Sequence, residues 1–169
     1  MDAALLTIAL LAQRTESFTV SLDAAVADAA PLFGPVREGE WVPHWAPQFV
    51  HPPEGAQRDG VVFTMTTTGT GRAQLWVLTE YDAVAGRIAY VVTEPGFLIT
   101  EIRIRIVPDG DRSRATVTYR RSALDPAANR LVDALDAEWA AAQTPHWQAA
   151  INGAIARSRL RQPDPDERQ

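Results

Sequence analysis

Apolar and polar residues alternate with a period of two in six separate stretches between about position 16 and position 121, after which the period lengthens to three or four. From Glu16 to Leu22, Phe18, Val20 and Leu22 share one face, which predicts a strand. Ser21 or Asp23 is then placed to cap a short helix running to Leu32, with Val26, Ala29, Ala30 and Phe33 at helical spacing, ended by Gly34-Pro35. Further on come strands over 61–68, 74–81, 87–93, 97–107 and 113–121, joined by short turns rich in glycine and aspartate. The clearest alternation is in the fourth of these, where Ile102, Ile104 and Ile106 face one way and Glu101, Arg103 and Arg105 the other. Strands with one apolar face and short connections predict an antiparallel sheet wetted on one side.

After Pro126 the pattern becomes helical. Leu131, Leu135, Trp139, Ala142, His146 and Ala149 recur at three- to four-residue spacing through Leu160, with a kink or a restart expected at Thr144-Pro145. One long helix is the only large apolar partner for the sheet, and one helix does not fill the concave face of a bent sheet. Small residues along it (Ala140, Ala141, Ala142, Ala149, Ala150, Gly153, Ala154) favour open volume. The expected architecture is α+β: a curved antiparallel sheet gripping a long C-terminal helix around an internal cavity. The segment from Val36 to Gly60 departs from both periods. Trp41, His44, Trp45, Phe49 and His51 lie among Pro43, Pro47, Pro52 and Pro53, too many prolines for a continuous helix or a central strand. Aromatic side chains in an irregular segment are expected to fold back onto apolar surface.

Length and composition narrow the classes. A chain of 169 residues, 46% of them hydrophobic, suits one domain, placed at 15–160 between an apolar extension (1–14) and a polar tail (161–169) expected to be mobile. Met1 to Ala12 lacks the positive flank of a secretory signal and the length of a membrane span, so a packed N-terminal element and a cytoplasmic location are expected. A formal charge of −5 argues against nucleic acid as a partner. There is no Cys, which removes disulfides, thiolate nucleophiles and Cys-ligated metals. Every basic side chain is Arg, which removes Schiff-base chemistry.

The blocks GEWVPHWAPQFVHPPEG (39–55), G-VVFTM (60–65), LWVLTEYD (75–82), GRIAYV (86–91), ATVTYRRSAL (115–124) and HWQAAIN (146–152) together resemble the START-like, pollen-allergen-like ligand-binding superfamily (SRPBCC), in its polyketide cyclase/dehydrase-like branch. The resemblance spans about residues 15 to 160. It implies a helix-grip fold, with a curved antiparallel sheet of about seven strands around the C-terminal helix, two short helices after the first strand, and a cavity for a lipid, a sterol, a polyketide or another apolar molecule; a minority of members catalyse cyclisation or dehydration. No catalytic motif of the branch transfers to particular residues here.

Candidate site residues follow from the pattern. His44, between Trp41 and Trp45, reads either as a proton donor at a cavity mouth or as a loop histidine capping backbone groups. His146, on the expected apolar side of the last helix, reads as a ligand partner or as a satisfied core histidine. Alternation carries Arg121 onto the face of Val117 and Tyr119, where it clamps a ligand carboxylate or pairs with Asp125. Tyr90 and Tyr119 offer hydroxyls, while Phe63, Met65, Trp76, Phe97 and Trp139 offer walls. His44, His51 and His146 lack the paired spacing of a zinc site, and no cofactor motif occurs. The glycines at 69 and 71 join strands and lack the following helix of a phosphate loop. The expected function is non-covalent binding of a small apolar molecule as a carrier or sensor. The alternatives are a cyclase/dehydratase-type enzyme moving protons through cavity His or Tyr, and a protein-interaction module, with a homodimer formed through the apolar N-terminus.

Overall fold

The computed structural model describes residues 10–66 and 71–161. The expected element at 1–12 falls mostly outside them, as do the turn around Gly69 and the tail beyond Arg161. Seven strands form a single antiparallel sheet: β1 (Gln13–Leu22), β2 (Gln48–His51), β3 (Val62–Thr66), β4 (Ala73–Asp82), β5 (Arg87–Glu94), β6 (Leu98–Asp109) and β7 (Arg112–Ala123), in the order β1-β7-β6-β5-β4-β3-β2. Strands β2 to β7 are a continuous meander, and β1 closes the far edge by pairing with β7 from Gln13↔Ser122 to Leu22↔Ser113. Register shifts at Phe49/His51 and Leu78/Glu80 interrupt the ladders, and bulges of this kind bend a strand and increase its twist.

The concave face carries the residues that alternation selected. Phe18, Val20 and Leu22 of β1, Ala115 and Val117 of β7, Ile102, Ile104 and Ile106 of β6, and Ile88, Tyr90 and Val92 of β5 are all buried. The opposite face is wet and charge-paired, with Arg120 and Arg103 both reaching Glu101. At the β4–β5 turn Gly86 has φ +65°, and a Cβ there would lie 2.3 Å from the Ile106 carbonyl oxygen, so only glycine lets this turn close against β6.

Two short helical segments follow β1: α1 (Val26–Ala29) and a 3-10 turn over Ala30–Phe33. Neither Ser21 nor Asp23 caps them. β1 runs on through Leu22, and the cap position is Ala25, without a side-chain hydrogen bond. The proline-rich segment also holds a four-residue strand, β2, which the sequence pattern did not predict. It sits at the sheet edge, where the prolines beside it break no ladder.

The C-terminal helix is divided, but not at Pro145. A 3-10 turn (Pro126–Ala128) leads into α2 (Asn129–Asp133), and α3 runs unbroken from Ala137 to Leu160. The division falls before Ala137 because the Asp136 carboxylate accepts the Trp139 amide at 2.8 Å, the geometry of an N-cap. Pro145 is tolerated because both it and Ala141, whose carbonyl it leaves without a helical donor, are on the exposed side. Ala140, Ile151, Ala154 and Ile155 are the buried positions of α3, a face rotated from the one that His146 and Ala149 would have defined. Among the described residues no helix is long and apolar enough to cross a membrane.

Candidate functional site

The sheet does not close completely on the helix, and a cavity of about 170 Å3 remains between them. Its sheet side is Trp76 of β4, Tyr90 of β5, Ile102 and Ile104 of β6, and Tyr119 of β7. Trp147 of α3 faces them. Glu38, Trp41, Val42 and Trp45 close the side, all from the segment between α1 and β2.

That segment is fixed by its own hydrogen bonds. The Glu38 amide donates to the Gly34 carbonyl at 3.0 Å, and the Val42 amide to the Glu38 carbonyl at 2.8 Å, forming a tight turn over Glu38–Glu40. The indoles are pinned back as the proline pattern required. Trp41 Nε1 donates to the Leu32 carbonyl and Trp45 Nε1 to the Pro35 carbonyl, each at 2.7 Å. Their rings then pack on others already in place: Trp41 lies 4.9 Å from Trp147, and Trp45 lies edge-on to Trp76 at 5.6 Å. Trp76 is in turn edge-on to Tyr90 at 5.7 Å. These offset and T-shaped contacts make the rings a rigid wall rather than a loose cluster.

Among the described residues, Glu38 is the one carboxyl lining this cavity. Its side chain is almost fully buried, and Oε2 has no hydrogen-bond partner. The turn also separates it from the nearby cation. Arg37 reaches Glu40 with two bonds, at 2.6 and 3.1 Å, so its charge is already taken. Two carboxyls two residues apart are therefore driven in opposite directions. Arg37 holds Glu40 below its ordinary value, whereas burial pushes Glu38 up to about 8. Burial, together with the Glu38 charge, also raises both cavity tyrosines, Tyr90 and Tyr119. The Tyr90 hydroxyl is occupied, donating to the Phe33 carbonyl at 2.8 Å.

Of the residues singled out in the sequence, Trp41, Trp45, Trp76, Tyr90 and Tyr119 are brought together around this cavity. Phe63 stands behind the wall, stacked on Trp76 at 5.5 Å and fully buried; Met65 is half-buried at the far end of the same strand. His44 is exposed, with φ 59°, and His146 is exposed on the outer side of α3. Trp139 packs edge-on against Tyr119 at 5.2 Å, and Phe97 belongs to a second apolar cluster with Leu98, Ala123, Ala128 and Val132. Arg121 does lie on the Val117–Tyr119 face. There it donates to the Leu131 carbonyl at 3.2 Å and sits over the Trp139 ring, outside the cavity wall. Sequence reasoning missed Glu38, Val42 and Trp147. Among the described residues no cluster of three or more His, Asp or Glu is placed to hold a metal.

A curved seven-stranded sheet closed over a C-terminal helix, with a cavity between them, is the helix-grip architecture, the fold expected from the START-like resemblance. Solved structures share it. Norcoclaurine synthase from Thalictrum flavum, in complex with dopamine and hydroxybenzaldehyde, matches with a TM-score of 0.63 at 12% identity, over 87% of this chain and 88% of that one. The Zhui aromatase/cyclase from Streptomyces sp. R1128 matches with a TM-score of 0.63 at 17% identity, over 89% of this chain and 97% of that one. Ara h 8.0201 matches with a TM-score of 0.55 at 16% identity, over 89% of this chain and all of that one. At these identities the likeness is one of fold. No family model matches the sequence, and no curated protein matches it.

Proposed function

We propose that this protein binds one small, flat, predominantly apolar molecule in the cavity between sheet and helix, non-covalently, as a carrier or sensor. The observation that carries this reading is the wall of six aromatic side chains around about 170 Å3. A dry apolar cavity of about 150 Å3 takes up benzene, so this one suits a single substituted ring. Sterols, long acyl chains and polyketides need the several hundred Å3 of larger ligand sites. The norcoclaurine synthase structure, with two single-ring compounds bound, is in keeping with that size. An interaction module would instead want a filled interior and a continuous apolar patch.

Four of the five tryptophans line the cavity, so indole emission reports occupancy directly. Benzyl alcohol is expected to quench it saturably, with a dissociation constant of roughly 0.1 mM for a ligand of this size. Val42→Phe, which places a ring where the ligand sits, is expected to weaken that binding at least tenfold while leaving the circular dichroism unchanged. Equal binding by both proteins would put the ligand elsewhere.

One observation favours a second reading, proton-transfer catalysis of the cyclase/dehydratase type. A carboxyl poised near neutrality faces the cavity beside two tyrosines. Were this the function, the protein would speed deuterium exchange at the α-carbon of phenylacetaldehyde, followed by proton NMR, and Glu38→Gln would abolish it. Background-rate exchange with both proteins leaves the carrier reading.

A further inference from the structure

The cavity wall is uniform in one electrical respect. Six ring systems line it, and aromatic faces carry negative potential. Among the described residues, the ionisable groups on it are an acid, Glu38, and two phenols, Tyr90 and Tyr119, with no Arg or His; Trp147 is the contribution of α3. The arginines beside the turn and the rim are committed elsewhere: Arg157 donates to the Glu40 carbonyl and Arg161 pairs with the Glu40 carboxylate. Arg37 is held by Glu40, and Arg121, at the rim beyond Tyr119, is engaged with the Leu131 carbonyl and the Trp139 ring. A buried carboxyl oxygen with no partner is costly unless something supplies a donor or a positive charge. Electron-rich rings surrounding one carboxyl are the arrangement that favours an organic cation.

From this geometry we propose that the occupant of the cavity carries a basic nitrogen, and that Glu38 Oε2 is its anchor: a single-ring arylalkyl amine, bound as the ammonium with its ring among the tryptophans. The proposal rests on the single-ring reading above and specifies its chemistry. It assigns Glu38 as a binding and specificity residue. The carboxyl accepts the ammonium N–H bonds, the rings stabilise the cation through their faces, and the ligand ring fills the remaining apolar volume. Binding is coupled to a proton. Where Glu38 is protonated in the empty cavity, forming the ion pair releases that proton to solvent, so affinity rises with pH until the carboxyl is already ionised. Carboxylate ligands are disfavoured for the same reason.

The test compares three single-ring probes, the isosteric pair benzylamine and benzyl alcohol together with benzoate, by calorimetry and tryptophan emission on the full chain and on Glu38→Gln. Benzylamine is expected to bind roughly tenfold tighter than benzyl alcohol at pH 8, as a charge-assisted contact requires, with benzoate weakest. Its affinity is expected to rise as pH goes from 6 to 8, with about one proton released per ligand at pH 6 when the heat is compared in two buffers of different ionisation enthalpy. Glu38→Gln is expected to erase the preference for amine over alcohol, with a circular dichroism spectrum matching that of the unmodified protein as the separate sign that the variant is folded. Equal affinity for amine and alcohol in the unmodified protein, or a preference that survives in Glu38→Gln, would overturn the assignment and leave the single-ring reading standing. Failure of all three probes to bind would overturn that reading, and this one with it. Should Glu38→Gln not fold, the proton release measured on the unmodified protein decides alone: none means Glu38 is not the anchor.

Discussion

Replacing Glu38 by glutamine is expected to make the empty protein more stable at neutral pH, by about 3 kcal/mol relative to the difference between the two proteins at pH 4.5. The cause is the cost of keeping a carboxyl in an aromatic cavity with no cation beside it. In the unfolded chain this group titrates near its ordinary 4.5, whereas in the folded protein burial holds it protonated up to about 8. Between those values the native state keeps a proton that the unfolded state has lost, so stability falls as pH rises. Each pH unit in that window costs about 1.4 kcal/mol, or roughly 3 kcal/mol by pH 7 and 5 kcal/mol above pH 8. Below pH 4.5 both states are protonated and the effect vanishes. Glutamine has the same shape and does not titrate. Melting curves of the two proteins from pH 4.5 to 9 should therefore diverge as pH rises, with the variant melting about 6–12 °C higher at pH 7 after allowing for any constant offset. Parallel curves would mean that Glu38 is not held neutral by the fold. A residue that costs the fold this much is the pattern expected where stability is given up for binding.

The fold was legible because its main signal is periodic. Alternation in β1, β6 and β7 placed Phe18, Val117 and Ile104 on the concave face, and each is buried there. The helix was harder to read for a physical reason: α3 carries alanines around much of its circumference, so several faces pass as apolar. The choice then rested on the large residues, and taking His146 as an inward position turned the face by one residue. Trp147, one position further along, is the side chain that lines the cavity. The division before α3 was missed because Pro145 is the louder signal, yet Asp136 sets the start of the helix by accepting one amide.

Glu38 was hidden for another reason. It stands in the run Arg37-Glu38-Gly39-Glu40, which reads as solvated surface charge, and nothing local says which carboxylate meets the arginine. The turn decides that. It puts Glu40 within reach of Arg37 and turns Glu38 inward under Trp41. Five of the six cavity rings were foreseen because an aromatic residue has few good places to go. A single inward acid was not, because only the three-dimensional path of the turn distinguishes it from its neighbour.

Truncating Trp147 to alanine is expected to be the most damaging change to the cavity, and a reversible one. This is the ring that α3 contributes to the cavity lining, 4.9 Å from Trp41 and 5.1 Å from Phe18. Removing a large aromatic from a packed site costs about 3–5 kcal/mol, and Trp147 falls at the low end because part of it is accessible. The melting temperature should drop by about 6–12 °C. The lost volume adds to the existing cavity, so a two-ring ligand should now fit where a one-ring ligand did before. Indole is the side-chain ring itself. Present at about a hundred times its dissociation constant, it should return roughly 2.7 kcal/mol to the variant. The same concentration should stabilise the unmodified protein much less, because there the indole volume is already filled. Scanning calorimetry of both proteins with and without indole reads all four states. A variant that loses stability but gains nothing from indole would show that the helix collapses onto the sheet, so that the cavity is held open by this one ring rather than by the curvature of the strands.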